Sequence, residues 1–322
     1  MNRLHHVKAT LPFNLDCCKT LPDSEFVILD YNSTDGLLDW INVNQQHFGG
    51  KVKYYRTTEP QFYKRSHSRN MAIKLASGDI VCNLDADNFV GIGFASYIQE
   101  KFLTKKNIYI SPSEELQSDI FGKLCFTKSD FLAIGGYDEK IELYGFEDFD
   151  LKNRLELLGL EKVTFNNPDF AQAIVHSELE RIENEFLFKN LSKILVETIN
   201  PFTSRLIFCL QDLTYESVFI EDSQYTHSCG GFVRPLDQRK RYNMLTGTEK
   251  KGFVEDLEMG NYKEITNQKV KIDTIHFYSQ IKNKKHTEIK LKSLELVANQ
   301  EIGFGKGTVY QGFENKIPIT IE

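Results

Sequence analysis

No apolar run in these 322 residues approaches the ~20 needed to cross a bilayer, and Met1 is not followed by the apolar stretch of a signal peptide. Six cysteines, at 17, 18, 82, 125, 209 and 229, include no CxxC spacing, and Cys17 and Cys18 are neighbours. That pattern argues against a zinc knuckle or a disulfide framework and points to reduced thiols in a cytoplasmic protein. Positive charge is not in excess either. The 45 acidic and 39 basic residues leave a net charge of −6, which argues against a nucleic-acid groove. Fixed-period repeats and low-complexity tracts are missing. The remainder, 41% hydrophobic and 26% charged, is ordinary globular material. It is long enough for one large or two medium domains with real cores.

Strands and helices alternate over the first ~180 residues. "EFVILDYNS" (25–33) is a short apolar run ending in turn residues, as in a strand buried on both faces. "KVKYYR" (51–56) reads as a second strand. "SHSRNMAIKLASGD" (66–79) reads as a helix capped by Ser66 or Ser68 and stopped near Gly78. A strand over 79–84, a helix near 93–103 and a strand over 107–111 follow. Residues 121–139 then give a strand, a short helix and a Gly-Gly stop. The alternation predicts a mostly parallel α/β sheet flanked by helices, with its ligand site at the carboxyl ends of the strands. Beyond it, 178–200 predicts a helix closed by Asn200-Pro201, and 269–279, 288–297 and 307–313 predict strands. These patterns imply a domain over 1–200 and a smaller β-rich domain over 201–322.

"DIVCNLDADNFV" (79–90) poses a chemical problem. Asp85 and Asp87 follow an apolar strand one residue apart, where like charges repel and burial is costly. A bound cation would relieve the conflict, and so would a solvated turn. "GFEDFDL" (145–151) places Glu147, Asp148 and Asp150 at the start of a helix. Three acids exceed what helix capping needs. Asp150 lies about 200° around a helix from Asp148 and is expected to point elsewhere.

Four stretches stand in order: "FVILDYNSTDG", "RSHSRNMAIKLASGDIVCNLDADN", "GFEDFDLKNRL" and "IVHS". Together they resemble the nucleotide-diphospho-sugar glycosyltransferases of the GT-A fold, family 2 in particular. The last two also resemble the catalytic end of the β-1,4-galactosyltransferases. The resemblance covers residues 2 to 180 and implies a Rossmann-like GT-A domain. It further implies a metal-dependent, inverting transfer of a sugar from a nucleotide diphosphate, UDP by expectation, to a glycan or lipid-linked acceptor, in surface-polysaccharide synthesis. The divalent cation, Mn²⁺ or Mg²⁺, would be held by Asp87 and His176. Asp148 would be the catalytic base and Glu147 the acceptor contact. Arg3, Asp30, Asn32, Arg69 and Asp85 would face the nucleotide sugar. Nucleic acid is not an expected partner, and peripheral membrane association is compatible with a lipid-linked acceptor.

The family opens with an apolar strand that has no counterpart ahead of Asn2-Arg3, so either the start of the protein lies upstream or the sheet lacks that strand. Two other classes fit the same residues: a non-catalytic glycan- or nucleotide-binding protein, and a metal-dependent hydrolase. Nucleotide release with and without acceptor separates all three.

Overall fold

Short apolar runs become strands covered on both faces. In the computed structural model, residues 1–116, 119–222, 241–258, 260–301, 303–312 and 317–322 are described. Cys229 therefore lies outside the described residues, and the other five cysteines are free thiols. The chain divides into two compact units. The first comprises residues 1–142, 147–176 and 293–322; the second comprises 143–146 and 177–292. The expected division at 200 and this one differ, because the chain leaves the first unit after His176 and returns to it at Ser293.

The first unit runs α1 (Leu4–Cys17), β1 (Phe26–Tyr31), α2 (Leu37–Asn44), β2 (Val52–Thr57), α3 (Arg65–Leu75), β3 (Ile80–Cys82), α4 (Phe94–Thr104), β4 (Ile108–Pro112), β5 (Cys125–Thr127), α5 (Lys128–Ala133), α6 (Glu147–Leu157) and β6 (Glu161–Phe165). In β4, alternate side chains enter different cores. Ile108 and Ile110 pack with Phe94 and Ile98 of α4, and Tyr109 packs with Phe131 of α5 and Leu151 and Leu155 of α6. This two-sided burial is why the strands read as continuous apolar runs.

The second unit holds α7 (Glu178–Ile182), α8 (Phe186–Asn190), β7 (Leu191–Asn200), β8 (Thr203–Leu210), β9 (Thr214–Asp222), β10 (Tyr242–Met244), β11 (Lys250–Phe253), β12 (Tyr262–Glu264) and α9 (Gln268–Ser293). Its strands form an antiparallel sheet in the order β10-β9-β8-β7-β12, with β11 also on β9. The β-rich region is thus present, but it begins earlier in the chain than expected.

The hairpin β13 (Gly307–Gln311) and β14 (Ile317–Ile321) completes the first unit, giving sheets β1-β2-β13-β14 and β3-β5-β4-β6. Both are mixed. The pairs β1–β2 and β4–β6 are parallel, whereas β13 on β2 and β5 on both β3 and β4 are antiparallel. Among the described residues, the strand before Asp85 is consequently at a sheet edge and pairs antiparallel with β5.

Two segments differ from expectation. Residues 191–200 are a strand, not the end of a helix: Ile194 and Leu195 are buried in pairing with β8, and Asn200 Oδ1 accepts from the backbone N–H of Phe202 and of Thr203, forming the hairpin turn. Residues 268–293 are one helix where alternation had suggested strands. Neither glycine nor proline occurs between Gly260 and Gly303, and Asn267 Oδ1 accepts from Val270 N at the helix start. Those signals outweigh β-branched alternation. A smaller difference concerns α3, which starts at Arg65, so Ser66 and Ser68 lie inside it.

Candidate active site

Arg69 stands at the centre of the first unit's acidic residues. It projects from α3, is 7% exposed, and crosses three carboxylates. Its Nη1 donates to Glu147 Oε1 at 3.1 Å and to Asp148 Oδ1 at 2.9 Å. Its Nη2 donates to Asp85 Oδ1 at 2.9 Å and Oδ2 at 3.2 Å. Arg65, one turn earlier, approaches Glu147 Oε1 at 3.5 Å. Helical spacing stacks the two guanidinium groups on one face, opposite the first turn of α6. Such burial of acids is tolerable only because the cation is shared.

The environment sets the protonation of each group. Burial alone would raise Asp85, but Arg69 outweighs it and holds the carboxyl below its usual range. Burial pushes Asp148 up to about 6, with Glu147 and Asp85 adding to the shift against the pull of Arg69 and a hydrogen bond from Tyr137. Burial would lower Arg69, yet Asp148, Asp85 and Glu147 keep it firmly protonated. Asp150 faces away, as its helical phase predicts: its Oδ2 accepts from Arg154 at 2.6 and 2.8 Å.

Asp87 takes a different partner. Its Oδ2 lies 2.9 Å from His176 Nε2, 89 positions later in sequence. Backbone pairing brings the two together: Ile174 N donates to Asp87 O, Phe89 N donates to Gln172 O, and Asn88 bridges to Ala173. Below them α1 grips the loop. Thr10 Oγ1 donates to Ala86 O at 2.8 Å, while Asn14 receives Val90 N at 2.8 Å and donates to Asn88 O at 3.1 Å. Buried Lys123 donates to Phe89 O and Phe170 O, both at 2.7 Å. His6 of α1 stacks near His176, with ring centroids 5.5 Å apart. Burial and neighbouring His5 push His6 down to about 4, so it is a neutral imidazole here.

The pair of Asp87 and His176 fits a hard divalent cation in its donor chemistry, a carboxylate oxygen with an imidazole nitrogen. Their 2.9 Å separation also suits neighbouring donors of one octahedral ion, which stand about 3.0 Å apart when metal–ligand bonds are about 2.1 Å.

The remaining expected residues form a third group. Asp30 is 1% exposed; its Oδ1 accepts from Ser33 N at 2.9 Å and its Oδ2 from Tyr54 Oη at 2.7 Å, so its carboxylate orders the loop after β1. Asn32 sits in that loop with a φ of 54°. Arg3 immediately precedes α1, which is tied to the same loop: Asn2 Oδ1 accepts from Thr34 N and Asp35 Oδ2 from Leu4 N. The loop after β1, which carries Asp30 and Asn32, is thus fastened to the start of α1, where Arg3 lies beside His6.

Sequence reasoning missed Tyr137, whose hydroxyl donates to Asp148 Oδ1 at 3.1 Å. It also missed Gly122. A side chain there would begin 3.0 Å from Asp85 Oδ2, 3.1 Å from Arg69 Nη2 and 3.2 Å from Asp148 Oδ2. No local pattern marks either residue, because both act through contacts distant in sequence.

Two family models match the chain: glycosyl transferase family 2 over residues 2–114, and the N-terminal domain of galactosyltransferase over residues 106–180. Among curated proteins, none matches. Solved structures similar to the chain include two of Drosophila β-1,4-galactosyltransferase 7. One is a mutant bound to manganese, UDP-Gal and xylobiose, 14% identical over 50% of this chain and 74% of that one, with a TM-score of 0.33. The other is the catalytic domain with xylobiose, 13% identical over 55% and 90%, also with a TM-score of 0.33.

Proposed function

We infer the reaction of a chain that belongs to the glycosyltransferases, with a family 2 domain of the GT-A fold ahead of a region resembling the galactosyltransferases. The reading is an inverting hexosyl transfer from a UDP-sugar to a hydroxyl of a glycan or lipid-linked acceptor, dependent on Mn²⁺ or Mg²⁺. Surface-polysaccharide synthesis at the cytoplasmic side of a membrane is the setting that fits such an acceptor. Among the described residues, no helix is long and apolar enough to cross a membrane.

One observation carries the reading. Asp148 shares Oδ1 with Arg69 and Tyr137 and keeps Oδ2 outside those bonds. A general base needs a held carboxylate with an open oxygen. In the step proposed, Asp148 takes the proton of the acceptor hydroxyl. The hydroxyl oxygen attacks the anomeric carbon from the face opposite the phosphate, and the carbon–phosphate oxygen bond breaks with its electron pair leaving on the diphosphate. Glu147 orients the acceptor by accepting from its hydroxyl groups, and Asp85 faces the donor ribose. Asp87 and His176 would hold the cation, which when bound neutralises the charge growing on the diphosphate. Arg69 keeps three acids at a working distance.

Incubation with several UDP-sugars and Mn²⁺, with and without candidate acceptors, tests this function. Acceptor-dependent release of UDP is the expected result. Release independent of acceptor would make the protein a hydrolase, and donor binding without release would make it a binding protein.

A further inference from the structure

Both polar groups of the Tyr137 backbone are held by side-chain amides from distant parts of the chain. Tyr137 N donates to Asn70 Oδ1 at 2.8 Å. Tyr137 O accepts from Asn70 Nδ2 at 2.9 Å and from Asn299 Nδ2 at 2.8 Å. Asn299 also donates to Gly135 O at 2.8 Å and accepts from Glu139 N at 3.0 Å, so it fastens the whole turn from 135 to 139. The ring is fully buried, with the Arg69 guanidinium 5.3 Å from its centroid.

We propose that Tyr137 is a positioning residue that fills Asp148 Oδ1 and so reserves Oδ2 as the proton-accepting oxygen, and that Asn70 and Asn299 hold it there. The proposal rests on the reading of Asp148 as the base. Two donors, Arg69 Nη1 at 2.9 Å and Tyr137 Oη at 3.1 Å, converge on Oδ1. Gly122 faces Oδ2 instead, where a Cβ would lie 3.2 Å away. Gly122 does not have a positive φ, so its lack of a side chain supplies room, not a special backbone conformation. One oxygen takes two donors, while the other lies against Gly122 in a side chain that keeps 21% of its surface exposed.

A phenylalanine would fill the same cavity, so the tyrosine hydroxyl is there for what it donates. Burial and the adjacent acids keep that phenol protonated throughout the working range. The charged groups facing Asp148 are Arg69 of α3, Asp85 after β3, and Glu147 and Lys152 of α6. Loss of the hydroxyl would leave Arg69 as the sole donor on Oδ1.

Tyr137→Phe keeps the ring and removes the donor. Asp148 should then ionise about 0.5–1 pH unit higher, the usual weight of one hydrogen bond to a carboxylate. The shift is read from the γ-carbon resonance of Asp148 in ¹³C-aspartate-labelled protein, assigned with Asp148→Asn. The acid limb of kcat/KM for UDP release with Mn²⁺ and acceptor should move equally, while UDP–Mn²⁺ binding stays unchanged. Asn299→Ala should move both readouts in the same direction. Wild-type values in both variants, with transfer abolished in Asp148→Asn, would overturn the role of Tyr137 and leave the base standing. Wild-type transfer in Asp148→Asn would overturn the base itself.

Discussion

Asp85 and Asp87 stand one residue apart and turn to different partners: Asp85 meets Arg69 Nη2 at 2.9 Å, and Asp87 meets His176 Nε2 at 2.9 Å. Asp85 thus has a fixed guanidinium beside it, and Asp87 an imidazole that in the proposed function would share a cation. The same short loop serves two chemistries.

Removing Asp87 should abolish Mn²⁺ binding, titrated by electron paramagnetic resonance. His176→Ala should weaken it by at least the ~10–100-fold that loss of an outer-shell partner costs. Asp85→Asn should leave the Mn²⁺ affinity within severalfold of wild type, because Asp85 is committed to Arg69. Equal losses in Asp85→Asn and Asp87→Ala would mean that both acids ligate the ion.

The proposed base has a pH signature. Asp148 must be ionised to accept a proton, and in the free protein it is pushed up to about 6. Below that pH it is protonated, so kcat/KM should fall about tenfold per unit of acidification and level off above it. Asp148→Asn should cut transfer by a factor on the order of 10²–10⁴ with donor affinity intact. Glu147→Gln should raise the acceptor KM more than it alters donor binding.

Arg69→Met would strand Asp85, Glu147 and Asp148 together. Breaking a buried ion pair costs about 3–5 kcal/mol, and the lower end is expected here because Asp85 keeps 38% of its side chain exposed. In the variant the clustered acids would have raised pKa values. Its deficit should therefore grow as pH rises from 5 to 8, measured by urea unfolding. Arg69→Lys should restore only part, since one ammonium nitrogen lacks the planar reach of the two nitrogens that span the three carboxylates.

Asn14→Ala tests the grip of α1 on the loop that carries Asp87. It removes a donor to Asn88 O and an acceptor from Val90 N, both buried. A loss of about 1–3 kcal/mol in unfolding free energy is expected, together with weaker Mn²⁺ binding. Stability lost with Mn²⁺ affinity unchanged would show that the loop keeps its shape unaided.

The elements legible in sequence were those with strong local punctuation. β1 is an apolar run closed by turn residues, and α4 and α5 stand between clear breaks. Carboxylates reach their places by chain order, so the acids of 85–87 and 147–148 were readable. Their partners were not. Arg69 has as strong a claim to a solvated helix face as to the middle of an acid cluster until α6 is packed against it. Residues 269–297 misled for a different reason. Alternation in "KVKIDTIHFYS" suits a strand, but a 26-residue helix with no breaker buries His276, Tyr278 and Ile281 more fully. Tertiary burial decided between two local patterns of similar strength.

The return of the chain to its first unit has a consequence for biosynthesis. Strands β13 and β14 complete a sheet begun by β1 and β2, and Asn299 fastens the turn that carries Tyr137. A ribosome that has delivered residues 1–200 has made every carboxylate of the candidate site but not the pieces that lock it. The nascent protein must keep β2 without its second neighbour while more than a hundred further residues emerge. Such an edge is open to wrong pairing. Maturation of the site is thus set by the last strands to be synthesised, and a fragment ending at 200 should be captured by chaperones or aggregate, not fold into a smaller enzyme.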